Sequence, residues 1–209
     1  MYRRTQIGVA VLVILGCRTV VNAADLKDGD IVFHTSRSAQ SQAIQRATGS
    51  KYSHMGLVVI RDGKPYVFEA VATARYTPLD QWTRRGLDGR YVVKRVKSSV
   101  RSLTPADLER LRRAAKDFEG KPYDLTFEWS DSRIYCSELV WKVYDRALGL
   151  KIGRLQKLGE FNLKDPAVKA KLQERYGRAI PVDETVISPS EMFQSDALEE
   201  VAARPSGEK

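Results

Sequence analysis

The dipeptide Asp62-Gly63 lies between two apolar runs, Met55-Gly56-Leu57-Val58-Val59-Ile60 and Pro65-Tyr66-Val67-Phe68-Glu69-Ala70-Val71. Asp-Gly readily supplies the positive φ angles of a tight hairpin turn, so the two runs are expected to pair as antiparallel strands in a register set by the turn. A two-residue loop sets Arg61 against Lys64, which puts Gly56 opposite Glu69 and Val71 opposite His54. Side chains two positions apart share a face. His54 and Glu69 therefore lie diagonally on one side, with only the bare Gly56 between them. A slip of one residue would send Glu69 to the opposite face.

The other segments supply partners for this hairpin. Gly29-Asp30 is a turn leading into a strand over Ile31-Val32-Phe33-His34, and Arg90 to Val96 reads as a further strand. Ser36 to Thr48 reads as a helix stopped by Gly49. Thr104 and Asp107 form a capping box with Pro105 at the first helical position, and Leu108, Leu111, Ala115 and Phe118 line one face before Gly120. A third helix begins at Cys136 and ends near Gly149, and a fourth runs from Asp165-Pro166 to Gly177. This mixture predicts an α+β fold with an antiparallel sheet packed against helices.

At the N-terminus, Arg3 and Arg4 precede the apolar run Ile7 to Leu15, which is too short to span a bilayer but suits a signal-peptide core. Val21-Asn22-Ala23 supplies a small-residue cleavage pattern. The expected organisation is a signal peptide over 1–23, one domain over 24–202 and a flexible tail over 203–209, Ala203 to Lys209. That places the mature protein in the periplasm or outside the cell. Ile14-Leu15-Gly16-Cys17 offers a second reading, a lipoprotein acylated at Cys17.

Cleavage after Ala23 removes three arginines and no acid, taking the formal charge from +9 to +6. The remaining charges are interleaved, as in Glu109-Arg110-Leu111-Arg112-Arg113, which reads as a solvated basic surface and argues against nucleic acid as a partner. It leaves room for association with a membrane surface or an anionic envelope polymer. There is no Gly-x-Ser-x-Gly elbow, phosphate-binding glycine loop or His-Glu-x-x-His, and two histidines with one mature cysteine leave little for a zinc site. Neither a metal nor a cofactor is expected.

Once Cys17 is gone, Cys136 has no internal disulfide partner, so it is either an inert buried thiol or a functional one. Its position at the first turn of a helix points to function, because unpaired N–H groups and the dipole there favour a thiolate. Cysteine catalysis also needs a base and an acceptor that orients the base, and His54 and Glu69 supply those roles. The Cys136 N–H with neighbouring donors is a candidate oxyanion hole. His34, the rival base, has no carboxylate partner on a paired strand. A structural histidine at a strand start and a carboxylate on a wet sheet face are the alternative readings of His54 and Glu69.

Gly29-Asp30-Ile31-Val32-Phe33, Tyr52-Ser53-His54-Met55-Gly56, Val67-Phe68-Glu69-Ala70, Gly120-Lys121-Pro122-Tyr123-Asp124 and Tyr135-Cys136-Ser137-Glu138-Leu139-Val140 together resemble the YiiX/YaeF-like permuted papain-like amidases of the NlpC superfamily. The resemblance runs from about Asp25 to near residue 195. It implies a circularly permuted papain-like fold in which histidine precedes cysteine, with Cys136 as nucleophile, His54 as base and Glu69 as the third polar residue. It also places Tyr123 near the cleft as a substrate-binding residue, although a core aromatic is an equal reading of that position. Where NlpC-type enzymes carry Asp-Cys-Ser-Gly, this chain has Tyr135-Cys136-Ser137-Glu138. The expected function is a cysteine amidase or peptidase acting through an acyl-enzyme on a cell-envelope amide such as a peptidoglycan peptide. The alternatives are a lipid amide or acyl-ester substrate, and an envelope-binding module with an idle thiol.

Overall fold

The hairpin forms in the expected register. Asp62 and Gly63 take up φ of 50° and 71°, and β2 (His54–Arg61) pairs with β3 (Lys64–Ala70) from Arg61↔Lys64 to Leu57↔Phe68. Gly56 is required by packing, because a Cβ there would lie 2.4 Å from Val67 Cγ1 and 2.8 Å from the Phe68 carbonyl oxygen. The computed structural model describes residues 26–204. The proposed signal peptide, with Cys17 and the cleavage site at Ala23, lies outside the described residues.

The hairpin sits inside a six-stranded antiparallel sheet of order β4-β3-β2-β1-β5-β8, completed by β1 (Ile31–His34), β4 (Ala74–Pro78), β5 (Tyr91–Val96) and β8 (Leu198–Arg204). One face presents Ile31, Phe33, Met55, Leu57, Phe68 and Ala70 to the main core, formed with α3 (Pro105–Lys116) and α4 (Cys136–Leu148). The other buries Val32, Val58, Val67 and Val93 beneath Leu79 and Trp82 of the short α2 (Leu79–Arg84). Both faces are therefore covered, so a polar residue on either must find a partner within the protein.

Most helix boundaries follow the sequence signals. Thr104 and Asp107 form the expected capping box on α3, Gly149 closes α4 in the left-handed region, and the Asp165 carboxylate caps α5 (Pro166–Tyr176). Three expectations need correction. Helix α1 spans Ser41–Thr48 rather than starting at Ser36, because Ser36 bridges to Gly86 and its N–H donates to Ser53 Oγ at 2.9 Å. Helix α3 ends at Lys116, before Gly120. Strand β8 carries the sheet to Arg204, opposite Tyr91, so Ala203 and Arg204 belong to the fold rather than to a loose tail. Among the described residues no helix is long and apolar enough to cross a membrane.

Candidate active site

Helix α4 starts at Cys136 because Tyr135 is still extended, at φ −108° and ψ 168°, and the Glu138 carboxylate reaches back to the Tyr135 N–H at 3.5 Å. Two further bonds fix this start against the segment before α6 (Pro189–Phe193): Ser137 Oγ donates to the Ile187 carbonyl at 2.8 Å, and Tyr135 Oη accepts from the Ile187 N–H at 3.0 Å. Cys136 is a free thiol, 3% exposed, at the end of the helix where backbone N–H groups lack intrahelical partners.

His54 is the first residue of β2, so its ring lies at the open end of the strand, where it hydrogen-bonds with the Cys136 thiol. Its Nε2 is 2.6 Å from Glu69 Oε2, the diagonal contact expected from the hairpin register. Nε2 being engaged by the carboxylate, Nδ1 is the nitrogen left for sulfur. Burial by itself pushes the imidazole down. Hydrogen bonds with Cys136 and Glu69, and the charge on both, outweigh burial and raise His54 to about 9.

Glu69 is completely buried. Burial drives its carboxyl up, but the hydrogen bond and charge of His54, the Arg85 guanidinium and the Thr77 hydroxyl overcome this and hold it below the usual carboxylate range. Thr77, on β4, donates to Glu69 Oε1 at 2.6 Å, and Arg85, just past α2, donates to the same oxygen. Sequence reasoning missed both residues. Thr77 shares the Glu69 face because it pairs with Val67, but no turn signal announces β4. Arg85 is one of several arginines in its segment and is distinguished only by where α2 folds.

His34 has different surroundings from His54. It sits directly across from His54 in the β1–β2 ladder, stacks on Trp82 with ring centroids 4.0 Å apart, and neither ring nitrogen has a hydrogen-bond partner. Burial, followed by the charges of His54 and Arg85, pushes it down to about 2, so it stays neutral.

Tyr123 stands at the cleft. Its hydroxyl accepts from Gln40 Nε2 at 3.2 Å, and Gln40 Oε1 in turn accepts from Arg175 at 2.6 Å. Burial and then the charge on Cys136 hold the phenol well above its ordinary value. On one side of Tyr123 opens a cavity of about 530 Å³ bordered by His54, and on the other an apolar pocket of about 90 Å³ bordered by Cys136.

The departure at Glu138 also has a structural account. This buried carboxylate pairs with Lys142 at 2.7 Å one turn along α4, and Lys142 Nζ also donates to the Ser130 carbonyl and Asp131. Burial raises Glu138 to about 8 against the opposing pull of Lys142.

Residues 25–202 match the family described as permuted papain-like amidase enzyme, YaeF/YiiX, C92 family. The chain is 55% identical over 174 residues to YiiX of Escherichia coli K12, an uncharacterised protein, spanning 83% of this chain and 85% of that one. It also superposes on the crystal structure of YiiX from Escherichia coli O157:H7, described as a metalloprotein, with a TM-score of 0.82 and 52% identity over 87% of this chain and 98% of the other.

Proposed function

The chain belongs to the permuted papain-like amidase family, and on that premise we propose that it is a cysteine hydrolase that cleaves a cell-envelope amide through a thioester acyl-enzyme after export to the envelope. The observation that carries this is the single line Cys136, His54, Glu69, in which one imidazole is hydrogen-bonded to a thiol on one side and to a clamped carboxylate on the other. That is the division of labour cysteine acyl transfer requires.

In the proposed cycle the Cys136 sulfur attacks the amide carbon, with the Cys136 N–H facing the developing oxyanion. The C–N bond then breaks as the His54 imidazolium gives its proton to the leaving nitrogen, which departs as the amine. Water next adds to the thioester carbon and passes a proton to His54. The C–S bond breaks to release the acid and return the Cys136 sulfur and the protonated His54 to their starting state. Glu69 keeps the ring oriented throughout, and Thr77 and Arg85 keep Glu69 in place. In this reading Tyr123, which borders both cavities, contacts the substrate.

The relative's description as a metalloprotein raises a metal as an alternative agent. The residues here do not fit one: among the described residues no group of three or more His, Cys, Asp or Glu side chains converges as a ligand set. His54 is already engaged by Glu69, and His34 is enclosed by Trp82. No step is assigned to a metal. Incubating the purified protein with cell-wall fragments and with envelope lipids, followed by mass analysis of products and of the intact chain, tests the proposal. An acyl adduct on Cys136 that turns over is expected, and products that persist unchanged with Cys136→Ala would contradict it.

A further inference from the structure

We propose that Arg37 and Arg85, opposed across a short backbone bridge in the wall of the His54 cavity, form an anion-recognition site for the released amine, so that the preferred substrate is an amide whose leaving nitrogen carries a carboxylate or a phosphate. This deepens the amidase reading and rests on it for the side of the cleft that the leaving group occupies.

The site is built by main-chain pairing. Ser36 bridges to Gly86 in antiparallel fashion, the Leu87 N–H donates to the Thr35 carbonyl at 2.8 Å, and the Arg37 N–H donates to the Arg85 carbonyl at 3.1 Å. That register sets Arg37 across from Arg85, and both side chains border the same cavity. Like charges in directly opposed positions repel. The lining, which also includes Arg84, holds no Asp or Glu to offset them. Arg84 is answered by the exposed Asp80 at 2.8 Å. Arg85 gives one nitrogen to Glu69, whose charge is already shared with His54. The rest of the Arg85 fork has no partner among the described residues, and its side chain is 36% exposed. The exposed Arg37 makes no side-chain hydrogen bond or ion pair among them.

Two opposed guanidiniums with unused donors suit one oxyanion, because each presents N–H groups in the fork that matches a carboxylate or phosphate. An anion between them also removes their repulsion. The catalytic roles say which part of the substrate carries it. The leaving nitrogen takes its proton from His54, and His54 borders this cavity, so the departing amine lies over it. The His54 ring, protonated below about 9, adds a further positive charge to the same wall. Breaking the C–N bond then releases an amine that bears the anion, while the acyl half leaves later as the acid. The Ser36 and Ser38 hydroxyls of the lining complete a polar surround. A leaving amine carrying a second cation meets only like charge there, so the same wall that selects an acidic amine rejects a basic one.

Calorimetry on purified Cys136→Ala protein tests the site without depending on turnover. The probes are N-acetylalanyl-glycine, N-acetylalanyl-phosphoethanolamine and the neutral N-acetylalanyl-ethanolamine. At least one anionic probe should bind roughly tenfold or more tighter than the neutral one, with the margin narrowing as salt rises. A preference for the carboxylate assigns the site to amino-acid leaving groups, and a preference for the phosphate assigns it to aminoalkyl phosphates. Adding Arg37→Ala should erase the margin, and Arg37→Lys, which keeps the charge but not the fork, should restore part of it. Equal affinity for the three probes, no measurable binding of either anionic probe, or a margin unchanged by Arg37→Ala overturns the proposal. Wild-type turnover of the same amides is scored separately. Selective binding without cleavage counts against the amidase reading and leaves the site standing, whereas cleavage with equal kcat/KM for anionic and neutral amides does the reverse.

Discussion

The face of the sheet under α3 and α4 is apolar along its strands, whereas the face under α2 carries His34, His54, Glu69 and Thr77 beside Val32, Val58 and Val67. Both are buried, so they differ in what stabilises them rather than in access to water. The first is held by area removed from water and close packing. On the second, each polar group must be matched: Glu69 has three donors and His54 has Glu69 and Cys136, while the neutral His34 and the Trp82 indole N–H stacked over it go without hydrogen bonds. The first face can lose methyl groups and keep its chemistry. The second can keep its volume and lose its chemistry through a single proton.

The largest separation between the faces is expected at the nucleophile and its base. Cys136→Ala should abolish turnover of any amide the wild type cleaves, and His54→Ala should cost roughly a thousandfold or more, because such residues act as a unit. Steady-state rates with folding checked by circular dichroism decide this; an active Cys136→Ala protein would contradict the account. On the apolar face, Leu139→Ala should instead lower stability by about 2–5 kcal/mol, with kcat nearly unchanged in the protein that remains folded. Chemical denaturation read beside kcat separates these outcomes.

Next in size is Glu69→Gln, which keeps the shape and one acceptor but removes the charge that favours the imidazolium. A loss of roughly ten- to a hundredfold in kcat is expected. The pH profile sharpens the point. Because His54 is raised to about 9, its proton is retained at neutral pH, and the stabilisation it contributes is complete below the ordinary 6.5 and is lost as pH rises through about 9. Activity should therefore fall on the alkaline side near pH 9 as the donor to the leaving group disappears, and that limb should move to lower pH in Glu69→Gln. An unmoved limb would detach Glu69 from His54. The smallest effect belongs to His34→Ala, within a few-fold of wild-type kcat, with the loss appearing in stability because the ring fills space against Trp82.

What the sequence showed and what it hid follow the same division. Local signals were sufficient for the hairpin register, the Thr104–Asp107 capping box, Gly149 as the end of α4, and the His54–Glu69 contact across the two strands of the hairpin. Hidden were elements whose shape is set from a distance. Helix α2 has six residues and no side-chain cap, so neither periodicity nor capping marks it, yet it brings Trp82 over His34 and Arg85 to Glu69. Strand β8 exists because Tyr91 to Val96 offers it a partner about a hundred residues earlier in the chain, and Ser36 leaves α1 because Ser53 and Gly86 hold its backbone. The apolar groove bordered by Ile44, Val168 and Leu172 likewise depends on how α5 packs against α1.

The central claim is that Cys136, His54 and Glu69 form one coupled proton system. Following the His54 ring by NMR through a pH titration tests it directly, with His34 as the neutral internal reference. The account predicts a wild-type midpoint near 9 that falls in Cys136→Ala and again in Glu69→Gln, because each variant removes a hydrogen bond and a charge that favour the imidazolium. A midpoint near 6.5 that neither variant moves would contradict it.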